Sequence, residues 1–342
     1  MSQDFAVIQY HHKALQIPPQ IGKYKIIKTL GKGGFAVVVL AYDTTTNQKV
    51  AFKVIDRQEV NETGTIKFVE CELRLLARLS HNNIVKIYDI IYEPEMIMIV
   101  MEYLPNGDIQ TLVNNSVSLR YDEYLNYTED LLNALNYLHK RGIAHRDIKP
   151  DNILFSQDMM IKIIDFGLSK DNQIPENLLL GTPMYMAPEL FKSLDSDPMM
   201  SDVWSLGVTL HIFMTGRYPW RYANEMEFIR AVKHNNVMIN IEIGGILGRV
   251  LEHMLEVNPN ERSNCQDLLN LINSTRKNGF GYSMPHVGRT LSSQPNQPKN
   301  LISLKTLALS RRMRSSNETS VNNRAKITIP YKVKTRSIIE RR

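Results

Sequence analysis

From Tyr24 onward apolar and polar residues alternate in short runs. These predict strands over Tyr24–Leu30, Ala36–Tyr42 and Lys49–Ile55, separated by Gly-rich and Thr/Asn-rich turns. The period then changes. Ile66, Val69, Leu73, Leu76 and Leu79 recur at spacings of three and four, which predicts a helix. Strand-like runs return at Ile84–Tyr92 and Met96–Glu102, and Pro105-Asn106-Gly107 ends them. Beyond that break the pattern is mainly helical. Tyr124, Tyr127, Leu131, Leu135 and Leu138 form one apolar stripe, and Val203–Met214 is apolar enough to predict a buried helix. A strand-rich part followed by a helix-rich part predicts an α+β protein of two lobes, joined near Glu102–Gly107. No internal repeat interrupts this order.

Composition sets the limits of the folded body. After about Ser274 the chain turns to Ser, Asn, Gln, Pro, Lys and Arg with little periodicity, which predicts a disordered extension over 275–342. Residues 1–23, with Pro18-Pro19, read as a loosely packed leader, leaving 24–274 as the folded domain. The net charge of +6 is unevenly placed: residues 276–342 carry 15 of the 41 Lys+Arg and only 2 of the 35 Asp+Glu. The basic character therefore belongs to the extension, and the body is net acidic. No run reaches the roughly 18–20 apolar residues of a membrane span, and the N-terminus lacks the pattern of a secretory signal. Cys71 and Cys265 have no metal-ligand spacing and fit a reducing compartment, so the expected location is cytoplasmic, with the nucleus as a second site.

Several short stretches carry chemistry. Gly31-Lys32-Gly33-Gly34-Phe35-Ala36-Val37-Val38 lies between two predicted strands, where glycines let backbone N–H groups approach phosphate oxygens. Taken alone, such a run is more readily a Gly-rich β-turn. Lys53 stands within an apolar strand, and a surface lysine is its ordinary reading; Glu70 and Glu72 on the next helix are its possible anionic partners. His145-Arg146-Asp147-Ile148-Lys149-Pro150-Asp151-Asn152 puts a base, a cation and a metal ligand within eight residues, and Asp165-Phe166-Gly167 follows with a further ligand.

In this order, these motifs resemble the eukaryotic-type serine/threonine protein kinases over about Tyr24–Ser274. Gly167-Leu168-Ser169-Lys170 and Gly216-Arg217-Tyr218-Pro219-Trp220 look most like the calcium/calmodulin-dependent and AMP-activated-kinase-like branch. The Gly-rich loop is equally similar to that of polo-like kinases. The resemblance implies a two-lobed fold with a small β-rich lobe over 24–101, a hinge at 102–106 and a larger helical lobe over 107–274. It implies ATP and Mg²⁺ as cofactors.

For ATP the resemblance implies contacts from Leu30, Gly31, Lys32, Gly33, Gly34, Phe35, Ala36, Val38 and Ala51, and from Met101, Glu102, Leu104, Asp108 and Leu154. Ala36 departs from the family pattern by standing where a third glycine is usual. Lys53 would hold phosphates, paired with Glu72 and with Glu70 in reserve. Asp147 would orient the acceptor hydroxyl and take its proton, Lys149 would neutralise charge on the phosphoryl group, and Asn152 and Asp165 would hold Mg²⁺. His145 becomes structural. Thr182, in Gly181-Thr182-Pro183, marks the serine/threonine branch together with Lys149. Glu189 and Arg262 would form a buried ion pair, and Asp202 would brace the catalytic loop. Asp108 has an equally good reading as a helix cap.

One departure bears on regulation. Residues 171–181 contain no Ser, Thr or Tyr, so the phosphate that usually meets Arg146 is not encoded there. The expectation is a segment that orders without phosphorylation, helped by Asp171 or Glu176 and by Leu178–Leu180, with Ser169 and Thr182 as the remaining modification sites. Asp151 and Asp108, on an acidic body, predict protein substrates with basic residues N-terminal to the acceptor. In the extension, Leu301, Ile302, Leu304, Leu307, Ala308 and Leu309 precede Arg311-Arg312-Met313-Arg314. That stretch could meet the kinase body, calmodulin, an anionic membrane or nucleic acid, or none of them. Two other functional readings are a nucleotide-binding pseudokinase scaffold and a small-molecule kinase of the same fold. Retention of Lys53, Glu72, Asp147, Asn152 and Asp165 counts against the first, and Thr182 with Ala187-Pro188-Glu189 against the second.

Overall fold

The computed structural model describes residues 17–32, 36–169, 181–193 and 196–277, which divide into two compact units. The first holds the chain up to Ile66 together with Ile87–Tyr103. The second holds Lys67–Lys86 and the chain from Leu104.

Six strands build the first unit: β1 (Gln20–Ile21), β2 (Tyr24–Lys32), β3 (Ala36–Asp43), β4 (Gln48–Asp56), β5 (Ile87–Tyr92) and β6 (Met96–Glu102). They form one antiparallel sheet in the order β1-β2-β3-β4-β6-β5. Alternation sends Val39, Ala41, Phe52, Val54, Met98 and Val100 into one apolar cluster with Tyr24, whose ring meets Phe52 edge-on at 4.9 Å. The opposite face is set by register: Gly31 and Lys53 both lie opposite Val38, and Ala51 lies opposite Met101. A one-residue slip of β4 would turn Lys53 into the cluster, so the burial of Phe52 and Val54 fixes where that lysine stands.

In the first unit, three details differ from the sequence reading. β1 lies inside the stretch expected as a leader, with Gln20 opposite Lys25 and Ile21 buried; two residues carry no period, and only pairing with β2 makes them a strand. A short helix, α1 (Arg57–Glu62), follows β4, capped by Asp56, whose carboxylate accepts from the Gln58 and Glu59 amides. Six residues are too few to show a helical period. The strand expected from Ile84 begins at Ile87, because Ile84 bridges Ile163 and belongs to the second unit.

The second unit contains α2 (Ile66–Leu76, beginning at the boundary), α3 (Ile109–Asn114), α4 (Tyr121–His139) and the two-stranded β7 (Ile153–Phe155) and β8 (Ile161–Ile163). It continues with α5 (Pro198–Thr215), α6 (Glu225–Lys233), α7 (Gly245–Met254) and α8 (Cys265–Lys277). The expected stripe of α4 is buried at Tyr124, Leu131, Leu135 and Leu138. α5 is buried on nearly all sides; Asp197 caps its start, Pro198 opens it and Gly216 ends it with φ of 74°. Trp204 of α5 packs with Trp220 and Phe228, the latter two rings stacked at 4.6 Å. Among the described residues no helix is long and apolar enough to cross a membrane. α8 runs to Lys277, so the first residues of the expected extension are helical. The readings made for 278–342 lie outside the described residues.

Candidate active site

The catalytic candidates of the second unit sit where α4 gives way to an irregular loop and β7. Arg146 has φ of 65° and Asp165 φ of 62°, left-handed conformations that cost a residue with a Cβ about 1–3 kcal/mol each. Asp202, 1% exposed on α5, accounts for the first: its Oδ1 accepts from the Arg146 amide at 2.8 Å and its Oδ2 from the His145 amide at 2.7 Å. A carboxylate with both oxygens on consecutive amides holds that bend as no apolar residue would. Gly181, with φ of 119°, packs against the Arg146 carbonyl; a Cβ there would come within 2.7 Å of that oxygen. The loop is thus held from two sides.

His145 is fully buried and works on the backbone. Its Nδ1 accepts from the Asp147 amide at 3.3 Å, which leaves the proton on Nε2 to donate to the Ile164 carbonyl at 3.0 Å. Its ring meets Phe166 edge-on at 5.0 Å. Neither nitrogen is left for proton transfer or for a metal.

Asp147 is the meeting point. Its Oδ2 accepts from Lys149 Nζ at 2.6 Å and from Asn152 Nδ2 at 2.9 Å, and its Oδ1 accepts from the Thr182 hydroxyl at 3.0 Å. Lys149 also donates to Thr182 Oγ1 at 3.1 Å. Asn152 donates a second time, to the Asp147 carbonyl at 2.9 Å, which leaves its Oδ1 as its remaining acceptor. The Ile164 amide donates to the Asn152 carbonyl at 2.9 Å, and this places Asp165 beside Asn152. Two hard oxygen donors suit Mg²⁺, which takes one or two side chains and keeps water and phosphate oxygens for the rest. Among the described residues no larger cluster of His, Cys, Asp or Glu competes for a metal.

Of the nucleotide candidates, Gly33, Gly34 and Phe35 lie outside the described residues, while Leu30, Gly31 and Lys32 end β2 and Ala36 opens β3. Val38, Ala51, Lys53 and Met101 share one face of the sheet. Glu102 closes β6, Leu104 is buried at the start of the second unit, and Leu154 lies on β7 opposite Lys162. On α2, Glu72 is 3% exposed whereas Glu70 is exposed, so Glu72 is the carboxylate turned from solvent. Asp108 caps α3, its Oδ1 accepting from the Thr111 amide at 2.5 Å. Glu189 and Arg262 form a bidentate pair at 2.6 and 3.0 Å; Arg262 also reaches the Met200 and Glu256 carbonyls, and Ser201 donates to Glu189.

One residue escaped the sequence reading, and another has a role that reading did not assign. His139 ends α4 with Nε2 3.1 Å from Asp202 Oδ2, so it steadies the group that steadies the loop. In sequence it reads only as a basic residue at a helix C-terminus. Ser169 is 3% exposed: its hydroxyl donates to the His145 carbonyl at 3.3 Å and its own carbonyl faces Cys71 Sγ at 3.6 Å. Arg146 Nε donates to the neighbouring Leu168 carbonyl at 2.6 Å. Asp171, Glu176 and Leu178–Leu180 lie outside the described residues. Cys265 is buried beside Asp202 with its thiol pushed well up by burial, which leaves it no nucleophilic character.

An antiparallel sheet followed by a helical unit that carries this loop defines the two-lobed protein-kinase fold, and the chain belongs to that family: residues 24–271 match the protein kinase domain. Similar proteins include CBL-interacting protein kinase 32 of Oryza sativa subsp. japonica, 33% identical over 259 residues, 74% of this chain and 59% of that protein. CBL-interacting serine/threonine-protein kinase 12 of Arabidopsis thaliana is 34% identical over 265 residues, 76% of this chain and 54% of that protein. The matched region thus spans between half and two thirds of each relative's length.

Proposed function

We propose that this chain is an ATP-dependent serine/threonine protein kinase that transfers a phosphoryl group to hydroxyls of protein substrates. The observation that carries this reading is the closed set Asp147, Lys149, Asn152 and Thr182, all joined by hydrogen bonds of 3.1 Å or less. Asp147 orients an acceptor hydroxyl and takes its proton. Lys149 sits beside it as a fixed positive charge for the oxygens of the moving group. Thr182 holds both side chains at the end of the segment that would lie under a peptide. Asn152 and Asp165 would hold Mg²⁺, which when bound neutralises the nucleotide phosphates. In the first unit, Lys53 on β4 offers a positive charge that suits nucleotide phosphates.

Preference for basic peptides rests on Asp151, half-exposed beside Lys149, more than on Asp108, whose carboxylate already caps α3. Two buried cysteines that form no disulfide fit a reducing compartment, so cytoplasmic or nuclear work belongs to this reading. The test is transfer from ATP with Mg²⁺ to a degenerate Ser/Thr peptide library, with Asp147→Asn as control. Selection for Arg or Lys before the acceptor is expected, and acidic or proline-directed selection would remove that part. Equal inactivity of both proteins, with nucleotide still bound, would shift the reading to a scaffold.

Regulation follows from the same hydrogen bonds. Ser169 is buried and Thr182 is held by the catalytic pair, so neither offers a free hydroxyl, and Arg146 meets a backbone carbonyl. Phosphatase treatment is therefore expected to leave the rate unchanged. Mass spectrometry and initial rates check this, and near-complete loss with a phosphosite mapped to the segment would refute it.

A further inference from the structure

On the second unit, lined by no residue of the catalytic set, a cavity of about 550 Å³ lies between the turn Ser80–Asn83 and the end of α4. Its wall is more polar than apolar: Asn133 and Asn136 of α4, then Lys140 and Arg141, with the Tyr137 ring among them. A cavity of this kind has no use as a hydrophobic pocket. Its charge, however, is one-sided.

Arg141 sits over the Tyr137 ring, its Cζ 3.6 Å from the ring centre, and donates from Nη1 to the Tyr137 carbonyl at 3.0 Å, so its guanidinium is held in place before any ligand arrives. Lys140 has a neutral partner, the Gln266 amide oxygen at 3.0 Å, which Asn136 shares at 3.1 Å. Among the described residues neither cation has a carboxylate within salt-bridge distance. His81 accepts at Nδ1 from the Asn83 amide at 3.1 Å, which leaves an N–H at Nε2. Burial first, and then the positive fields of Arg141 and Lys162, hold its pKa below the ordinary histidine value. Asn82 and Asn133 line the rim, exposed and with no side-chain hydrogen bond among the described residues. Two cations, an imidazole N–H and free amides make up a lining without a carboxylate, and the nearest anion is Asp130, one turn before Asn133, which takes a hydrogen bond from Asn83 behind the wall.

We propose that this cavity is a binding site for a phosphate group, free or esterified, and that it regulates the kinase activity inferred above. Dianionic phosphate matches the fork of a preoriented guanidinium and the ring of neutral donors. The position explains how occupancy would be felt. Arg141 lies four residues before His145, and Ser80–Asn83 follow the helix that carries Glu72. The two walls are already linked, Ser80 N to Tyr137 OH at 3.0 Å and the His81 and Tyr137 rings at 5.1 Å. A bound anion would tie the exit of α2 to the start of the catalytic loop.

Binding is tested without catalysis, so that its failure and the failure of the kinase reading remain separate. Inorganic phosphate and O-phosphoserine are titrated into the full chain at constant ionic strength, and the His81 resonance is followed by NMR. Saturable movement of that resonance is expected, weakened about ten-fold or more in a Lys140→Gln/Arg141→Gln double variant. Asn133→Asp, an exposed change that sets a negative charge on the rim, should weaken binding without altering the melting curve. A preference for one probe separates the ester from the free ion. An unmoved His81 resonance, or equal affinity in wild type and both variants, overturns the site. Phosphate bound but peptide phosphorylation unaltered overturns the regulatory half.

Discussion

Asp147→Asn is expected to reduce peptide phosphorylation by about 10²–10⁴-fold while leaving nucleotide binding and the melting temperature near those of the wild type. The substitution keeps the shape of the side chain and removes its charge. The amide oxygen would still accept from Thr182, but Lys149, now 2.6 Å from the carboxylate oxygen, would face a neutral group, and nothing would remain to take the hydroxyl proton. Steady-state kinetics with a peptide substrate, alongside a nucleotide titration, measure it. A loss in kcat with KM for ATP little changed is the signature of a group that acts on the acceptor. A variant with wild-type kcat would remove Asp147 from the chemistry and with it the role given to its partners.

The second large effect concerns stability. Arg262→Ala is expected to destabilise the protein by about 3–5 kcal/mol, because it leaves the Glu189 carboxylate buried and unpaired. Arg262 is 4% exposed and also donates to two backbone carbonyls, Met200 and Glu256, which lose a partner at the same time. Its guanidinium further lies 5.1 Å from the centre of the Trp204 ring, the middle of the large apolar cluster. Urea unfolding of wild type and variant measures the difference. Glu189→Gln should cost less than Arg262→Ala, since the amide can still accept from Ser201 and Arg262. Activity per folded molecule is expected to survive in both, and a catalytic defect at full stability would contradict a purely structural pair.

Much of this was legible because the signals were local. The short apolar runs of β2, β3, β4 and β6, the 3.6 period of α4 and the near-continuous apolar run of α5 come directly from which positions are apolar. The elements that went unread have no local signal. β1 has two residues and α1 six, and each exists because of what it pairs with or what caps it. Ile84 reads as the start of a strand, yet its partner is Ile163, far along the chain. Asp108 allowed two readings on sequence, and its 2.5 Å bond to the Thr111 amide is the cap.

Residue types and their order along the chain carried the family, the two-part architecture and the chemical groups available for phosphoryl transfer, because helix and strand periods and short motifs are properties of neighbours in sequence. Folding decided the rest. Only the tertiary structure shows Asp202 reaching from α5 to two amides of the loop, His139 supporting it from α4, and Thr182 closing the ring on Asp147 and Lys149. The cavity beside Arg141 belongs to the same class, since its walls lie about fifty residues or more apart in sequence. Pairwise contacts over such separations depend on how helices and loops pack, and packing is a property of the whole chain.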